Sequence, residues 1–239
     1  MSKWIREASG GRLEPSGAEA RPAATVAILR DGPDGLEVLM GRRSSKMNFH
    51  GGAWVFPGGR VDDADWVGAR DELDAARVAA VREAHEEAGV LVHAAALVHV
   101  SNWTTPDIAP KRFATWFFAG PLGEGSGEAV ADGIESDALR WFAPAAALAA
   151  RLGGEIDLAP PQFVTLESLR RFDGVAAALE GLGDEEPFDF RPRIHFGDGF
   201  GVAIYQGDAA YEDTSRLEET SPRHRLTMPR VGEWSYERR

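Results

Sequence analysis

Three glutamates stand within about one turn of a segment that has helical spacing. Glu83, Glu86 and Glu87 lie in the run Arg82-Glu83-Ala84-His85-Glu86-Glu87-Ala88-Gly89-Val90. On an α-helix, positions i, i+3 and i+4 share one face, so the three carboxylates would project together and repel one another. A hard divalent cation relieves that repulsion, and carboxylate oxygens are ligands that Mg²⁺ prefers. Because such an ion also binds phosphate oxygens and activates water, the cluster indicates hydrolysis of a phosphate compound.

A solvent-facing helix offers an ordinary alternative explanation for the same residues. Glutamate is a good helix former, and Arg82 with Glu86 makes a common i, i+4 ion pair. His85 lies on another face of the predicted helix, so we assign it a structural role. A second feature favours chemistry, because the turn Pro57-Gly58-Gly59 follows a short predicted strand over 54–56. Glycines let a backbone turn sharply and bring a carbonyl close to a metal or a phosphate.

Hydrophobic periodicity supplies the elements that must hold this turn and helix together. A helix is predicted from Ala75, with Val78, Val81 and several alanines facing a sheet and with Gly89 as a left-handed C-cap. Strands are predicted over 23–29, 37–41, 91–100, 112–118 and 139–142, and a turn over 31–35. Two more helices are predicted over 144–151 and about 161–179. Strands mixed with a few helices, without regular βαβ alternation, predict an α/β (α+β) fold.

Composition and residue chemistry divide the chain and limit its function. We expect a loose tail over 1–20, one catalytic domain over 21–183, and a C-terminal extension over 184–239 with strands at 194–196 and 201–205. The net charge of −12 argues against partners that are nucleic acids or anionic membranes. The absence of cysteine excludes disulfides and thiolate chemistry. Because the chain shows no signal-peptide core and no membrane-length apolar run, we expect a cytoplasmic protein.

The glutamate segment resembles the second half of the Nudix box, a loop–helix motif that binds metal and a nucleoside diphosphate-linked substrate. Arg82, Glu83, Glu86, Glu87 and Gly89 fill its fixed positions. The Gly58-Gly59 pair resembles its start. Twenty-two residues separate Gly59 from Arg82, nine more than the usual thirteen. The acidic residue expected eight positions before the arginine is Asp74, which could cap the helix and pair with Arg82.

Similarity outside the box points to a long-insert Nudix subgroup that includes the mammalian peroxisomal coenzyme A diphosphatase. The similar segments lie within about residues 23–172, and they are 43–45, 52–62, 103–106, 112–113, 117–118, 140–141 and 160–163. The resemblance implies a Nudix α/β/α sandwich with a mixed sheet. It also implies cleavage of the diphosphate in CoA or acyl-CoA, dependent on Mg²⁺ or Mn²⁺, and a homodimer.

The resemblance assigns roles to the residues of the box. Glu86, Glu87 and the Gly58 carbonyl would bind metal, Glu83 would bind metal or act as the general base, and Arg82 would orient the carboxylates. Nudix enzymes often take the base from a later loop. Glu135 is our candidate for that residue and Glu128 its rival, although a solvated loop carboxylate explains either one.

Several residues outside the helix are candidates for substrate contact. Arg42, Arg43 and Lys46 precede the glycine turn, where they could bind a phosphate such as the 3′-phosphate of CoA, or remain solvated. Gly59 and Arg60 complete this set. His50 could touch substrate but suits an ordinary loop position. An adenine-stacking ring could come from Trp103, Phe113 or Phe117, and equally these rings could be core. Lys111 and Arg112 are similarly ambiguous.

Two alternatives to CoA cleavage remain open at this point. Other CoA-cleaving Nudix enzymes carry an arginine at the centre of the segment that is 46–51 in this chain, and this chain has none there. ADP-ribose, or another nucleotide sugar or dinucleotide, is therefore the alternative substrate. The second alternative is a non-catalytic Nudix module that senses a nucleotide. The intact glutamates favour the enzyme.

Overall fold

The computed structural model describes residues 15–44, 51–229 and 232–239, and within these the chain forms two compact units. The large unit comprises residues 21–102 and 114–188. The small unit comprises the described residues up to Ala20 together with 103–113 and 189–239. The division into a tail, a catalytic domain and an extension remains a prediction. Lys46 and His50 lie outside the described residues.

A mixed sheet forms the centre of the large unit. Its strands are β1 (Ala20–Gly32), β2 (Gly35–Arg43), β3 (Ala53–Val55), β4 (Gly58–Arg60), β5 (Val98–Thr104), β6 (Arg112–Pro121), β7 (Ser136–Phe142) and β8 (Asp157–Leu158). They lie in the order β8-β3-β2-β1-β6-β5, with β4 on β1 and β7 on β2. The β3–β8 pair is parallel, whereas β2 pairs antiparallel with β1, β3 and β7.

Helix α1 (Glu72–Ala88) packs on this sheet through small side chains. Asp71 caps its start by accepting the Asp74 N–H at 2.9 Å, and Gly89 ends it at φ 66°, the predicted left-handed cap. The helix begins at Glu72, three residues before the predicted start. Its buried face carries Ala76, Ala79, Ala80, Ala84 and Ala88, which pack with Val26, Ile28, Leu39 and Phe118 of the sheet. Alanines lack long side chains, so the helix approaches the sheet closely while its other face carries the polar residues. The expectation that Val78 packs on the sheet is wrong, because this side chain is exposed.

The later helices differ in part from the sequence-based expectation. Helices α2 (Pro144–Leu152), α3 (Pro160–Leu169) and α4 (Val175–Gly183) follow the sheet. The prediction of one helix over 161–179 is wrong, because the chain breaks between α3 and α4. Gly174 is extended, and the carboxylate of Asp31 accepts the Val175 N–H at 2.9 Å. That contact satisfies a donor at the start of α4 from 144 residues away.

The strand predicted over 91–100 is also shorter at its start than expected. A short 3₁₀ helix occupies Ala94–Ala96, and β5 begins only at Val98. The mixed sheet with its helices nevertheless confirms the predicted α/β class. None of the helices in the described residues is long and apolar enough to cross a bilayer.

The small unit has an antiparallel sheet of its own. Within the described residues it has four strands, which pair in the order β10 (Arg193–Gly197), β11 (Phe200–Ile204), β12 (His224–Pro229) and β13 (Ser235–Arg238). Strand β9 (Phe188–Phe190) precedes them in the sequence and is not part of this sheet. The Trp103 ring stacks on Phe190 with centroids 3.9 Å apart, and Tyr205 meets both edge-on. Asp208 and Arg225 form a fully buried ion pair in this unit.

Candidate functional site

The three glutamates of α1 lie on one side of the helix but differ strongly in exposure. Glu87 is buried, the Glu83 side chain is 13% exposed, and the Glu86 side chain is 56% exposed. A carboxylate oxygen of Glu87 accepts the Gly58 N–H at 3.1 Å. The structure therefore joins the predicted helix to the predicted glycine turn, 29 residues apart in sequence, by a direct hydrogen bond.

Arg82 connects this cluster to the segments around it. Its Nη1 donates to Glu83 at 2.8 Å and to Glu86 at 2.9 Å. Its Nε and Nη2 donate to the two carboxylate oxygens of Asp65 at 3.1 and 2.9 Å, and Nη2 also donates to the Arg60 carbonyl at 3.0 Å. A guanidinium presents fixed, planar donors, so these contacts orient two of the three glutamates relative to the turn that follows β4.

The acidic partner of Arg82 is Asp65, and the expectation that Asp74 fills this role is wrong. Asp74 instead pairs with Arg70 at 2.6 Å on the surface. Five residues lie between Gly59 and Asp65, the same number that the usual box places between its glycine and its acidic residue. The extra residues therefore follow the acidic position. Counting forward from the glycine locates this residue, whereas counting back from the arginine crosses the insertion.

Asp65 is buried and held in place by hydrogen bonds. Its side chain is 2% exposed, and it accepts the Asp62 N–H at 2.9 Å in a capping box at the start of a 3₁₀ helix, Asp63–Trp66. The pKa of Asp65 is lowered: burial works in the opposite direction, and the hydrogen bonds from Arg82 and Asp62 outweigh it. Asp65 in turn raises the pKa of Arg82, so both groups stay ionised.

The predicted glycine turn is in the structure a bend at Pro57 that leads directly into β4, where Gly58 and Gly59 pair with Thr25 and Ala24 of β1. This glycine turn fits between β1 and α1 only because it lacks side chains. A Cβ on Gly58 would lie 2.6 Å from the Thr25 Cα, and one on Gly59 would overlap the Glu83 carboxylate. The Thr25 hydroxyl donates to the Pro57 carbonyl at 2.7 Å and so fixes the turn from the other side. The glycines thus allow the backbone to lie directly against the carboxylates.

Burial and mutual repulsion disfavour ionisation of the inner glutamates. Burial raises the pKa of Glu87 to about 8, and the charges of Glu83 and Glu135 add to the effect, against the Gly58 hydrogen bond and the charge of Arg43. Burial also raises the pKa of Glu83, and the hydrogen bond and charge of Arg82 partly offset this increase. The site therefore concentrates negative charge that the neighbouring cations compensate only in part.

Glu135 contributes to this electrostatic cluster, unlike its rival Glu128. Glu135 precedes β7, and its carbonyl accepts the Ser44 N–H at 2.8 Å at the end of β2. Its charge acts on both Glu83 and Glu87. Both Glu135 and Glu128 are exposed, but the charge of Glu128 is not among the main causes of either pKa shift. The structure thus associates one of the two base candidates with the glutamates of α1.

The basic candidates have different surroundings. Arg42 forms an ion pair with Asp137 at 2.6 Å. The Nε of Arg43 is buried and has no hydrogen-bond partner in the described part of the chain, while the charge of Arg43 lowers the pKa of Glu87. Arg60 is more than half exposed and lies 3.8 Å from Asp62. Arg43 is therefore the arginine with an unused buried donor and a charge that acts on the site.

The ring candidates fall in different units. Trp103 belongs to the small unit, where it stacks on Phe190. Phe113 is there as well, with Lys111 over its ring at 5.5 Å, and Arg112 donates to the carbonyls of Thr105 and Ala18. Phe117 is buried in the large unit. The surroundings of Trp103 and Phe117 are those of core residues.

The oxygen donors of these carboxylates suit a hard cation, although the carboxylates do not converge on one point in this structure. In residues 15–44, 51–229 and 232–239, no three His, Asp or Glu side chains are arranged as a ready metal site. Glu83 and Glu86 are turned to Arg82, and Glu87 to Gly58. The donors are all oxygen, and Glu87 is a buried, incompletely compensated carboxylate. This combination fits a hard divalent cation.

Comparisons with known proteins agree with this geometry. The family model described as NUDIX domain matches residues 20–161, more than half of the chain. A Caenorhabditis elegans protein that carries the name nudix hydrolase 7 is 25% identical over an aligned length of 231, and the match covers 81% of this chain and 75% of that protein. The crystal structure of a NUDIX hydrolase from Alicyclobacillus acidocaldarius superposes with a TM-score of 0.62 at 27% identity, covering 69% of this chain and 97% of that one. The chain therefore belongs to the Nudix hydrolase family, whose enzymes cleave phosphorus-containing anhydrides.

Proposed function

We propose that this Nudix hydrolase is a diphosphatase that cleaves a nucleoside diphosphate linked to another moiety, with CoA or acyl-CoA as the substrate class. The observation that carries the proposal is the hydrogen-bonded unit of Asp65, Arg82 and the three glutamates against the Gly58-Gly59 turn. Nudix hydrolases generally use divalent metal ions. The CoA assignment rests on the similarity of this chain to the long-insert subgroup.

Each protein group has a distinct part in the proposed reaction. Glu86, Glu87, Glu83 and the Gly58 carbonyl would hold Mg²⁺ or Mn²⁺. The ion, when bound, neutralises charge on the diphosphate and makes water more acidic. Arg82, fixed by Asp65, keeps Glu83 and Glu86 on the side of the helix that faces the turn. The hydrogen bond from Gly58 does the same for Glu87.

Proton transfer is assigned to Glu135, with Glu83 as the alternative. A general base must reach the attacking water, and Glu135 is a carboxylate that shares the electrostatic environment of the glutamates on α1. By taking a proton from this water, the base leaves an oxygen nucleophile. The nucleophile attacks one phosphorus of the diphosphate and displaces the second phosphate with the group attached to it. Glu135→Gln should therefore lower kcat by about 10²-fold or more, whereas Glu128→Gln should leave it unchanged.

Arg43 is the arginine that we assign to the substrate phosphates. Its buried Nε can donate one more hydrogen bond, and a guanidinium matches the geometry of a phosphate oxygen pair. Arg42 already engages Asp137, and so we place it outside the first contacts with substrate. Gly59 and Arg60 remain candidates for contact through the backbone and an exposed side chain, and Lys46 remains one by sequence alone.

Hydrolysis of a small substrate panel tests the proposal directly. CoA, acetyl-CoA, ADP-ribose, NADH and diadenosine polyphosphates are incubated with Mg²⁺ or Mn²⁺, with EDTA as control, and the products are separated by chromatography. Release of adenosine 3′,5′-bisphosphate from CoA well above the other rates supports the CoA assignment. Selective cleavage of ADP-ribose keeps the mechanism and rejects CoA. Glu86→Gln, which removes an exposed charge at constant size, should abolish turnover, and normal activity would reject the metal assignment.

The non-catalytic alternative predicts a different outcome in the same experiment. A sensor would bind a nucleotide of the panel, measured by calorimetry, and would turn over none of them with metal present. The predicted homodimer is tested separately by light scattering of the full chain during gel filtration. The predicted cytoplasmic location is tested by cell fractionation.

A further inference from the structure

The residues before β7 form a tight turn around one carboxylate. Oδ1 of Asp132 accepts the N–H groups of Ile134, Glu135 and Ser136 at 3.1, 3.2 and 2.9 Å, and Oδ2 accepts the Glu135 N–H at 3.1 Å. The Gly133 N–H donates to the Ser136 carbonyl at 3.0 Å, with Gly133 at φ 72°. The turn therefore depends on one acceptor side chain and one left-handed glycine.

Both peptide groups of Glu135 are fixed by this arrangement. Its N–H is held by Asp132, and its carbonyl accepts the Ser44 N–H at 2.8 Å. The next residue, Ser136, is buried and pairs with Arg43 across an irregularity in the β2–β7 register. The side chain of Glu135 thus starts from a backbone position that is tied to the sheet on one side and to Asp132 on the other.

The hydrogen bonds keep Asp132 in the ionised form that accepts them best. Its pKa is lowered, because the N–H groups of Ser136, Glu135 and Ile134 outweigh an opposing effect of burial. Hydrogen bonds to a charged acceptor are stronger than neutral ones.

We propose that Asp132 is a positioning residue that holds Glu135 in place for proton transfer during diphosphate hydrolysis. The inference rests on the proposed function, because it gives Glu135 the role of general base. Asp132 acts through the backbone of the turn and does not touch the substrate. Misplacement of a reacting group by about 1 Å can cost about 10²-fold in rate, so the rigidity of this turn would be visible in kcat.

Four variants of the full chain separate positioning from simple support of the fold. Asp132→Ala removes the acceptor, whereas Asp132→Asn keeps the side-chain oxygen that takes three of the bonds. Gly133→Ala strains the same turn through its positive φ without touching any carboxylate. Asp213→Ala is the matched control, because Asp213 accepts the Ser215 N–H at 3.0 Å in a comparable turn of the small unit.

Steady-state rates are measured with CoA and with ADP-ribose, each with Mg²⁺, and folding is monitored by tryptophan fluorescence. Asp132→Ala should lower kcat by about tenfold to a hundredfold with KM changed less than about twofold. Asp132→Asn should retain most of the activity, and Asp213→Ala all of it. If Asp132→Ala does not fold, Gly133→Ala serves as the perturbation, with a smaller loss in kcat.

The decisive comparison uses the Glu135→Gln background. If Asp132 acts through Glu135, adding Asp132→Ala or Gly133→Ala there should change kcat by less than about twofold. Losses that multiply, or an unchanged kcat in the single variants, would refute the positioning role. A wild-type protein that cleaves no member of the substrate panel would reject the proposed function, and the inference with it. Normal turnover by Glu135→Gln in an active enzyme would keep the diphosphatase function but reject Glu135 as the base, and with it the inference about this turn.

Discussion

Neutralising Glu87 should stabilise the metal-free protein while abolishing catalysis. The carboxylate is buried, and its pKa is raised from the ordinary 4.5 to about 8. A group whose pKa is higher in the folded than in the unfolded chain contributes its full stability below pH 4.5, and that stability is lost as the pH rises through about 8. Glu87→Gln removes this loss and keeps an oxygen that can accept the Gly58 N–H.

The size of the effect follows from the pKa difference. One pKa unit corresponds to about 1.4 kcal/mol, so the raised pKa of Glu87 lowers the free energy of unfolding by about 3 kcal/mol at pH 7 and by about 1 kcal/mol at pH 5. The loss arises because the side chain ionises freely in the unfolded chain and stays largely protonated in the folded one. The substitution should therefore stabilise the protein by about 3 kcal/mol at the higher pH and by about 1 kcal/mol at the lower. Glu86→Gln, at the exposed end of the cluster, should change the free energy of unfolding by less than about 0.5 kcal/mol.

Urea unfolding in EDTA, followed by the fluorescence of the seven tryptophans, measures this difference. The three proteins are compared at pH 5 and pH 7, so that other titrating groups cancel between them. Adding Mg²⁺ at pH 7 should then stabilise the wild type and not Glu87→Gln, because a ligand that binds the folded state stabilises it by mass action. A variant no more stable than wild type at pH 7, or a gain equal at both pH values, would refute the reasoning.

Three further predictions concern the supports of the site and of the small unit. Asp65→Asn should lower kcat about tenfold or more and lower the thermal midpoint, because it weakens the buried contact that orients Arg82. Asp74→Asn, the control, should keep full activity, and equal activities of the two variants in a rate assay would contradict this prediction. Gly59→Ala should remove activity because its Cβ would overlap a catalytic carboxylate, and unchanged rates would show that the turn can move. Asp208→Asn should destabilise the protein by about 3–5 kcal/mol by leaving Arg225 buried and uncompensated, measured by urea unfolding at pH 7. Because the pKa of Asp208 is lowered, this contribution is present above pH 3.8 and lost as the pH falls further, so a difference between the two proteins that persists in strong acid would contradict the assignment.

The elements that depend on local sequence were predictable. Helix α1 follows from its alanine and glutamate pattern and from the glycine that ends it, and the β1–β2 hairpin follows from two apolar runs around a Gly-Pro-Asp-Gly turn. Periodicity and turn chemistry act over a few residues, so they can be read along the chain. The family resemblance adds the candidate roles, which remain predictions for the experiments above.

The break between α3 and α4 shows the limit of this local reading. The apolar spacing over 161–179 suits one continuous helix. No neighbouring residue in the sequence indicates that Asp31 accepts the Val175 N–H. An acceptor from a distant hairpin can stabilise a new helix start where periodicity alone predicts continuation. Only the tertiary structure contains that contact.

The sequence by itself determined that three carboxylates share one helix face, because helical geometry follows from spacing. Counting back from Arg82 leads to Asp74, because the insertion shifts every position counted across it, whereas counting forward from Gly59 leads to Asp65. Only the fold shows that Asp65 contacts the guanidinium. Nor could the sequence show that Glu87 is buried and Glu86 exposed. Burial is a property of the surrounding layers, and it is burial, more than residue type, that raises the pKa of Glu87.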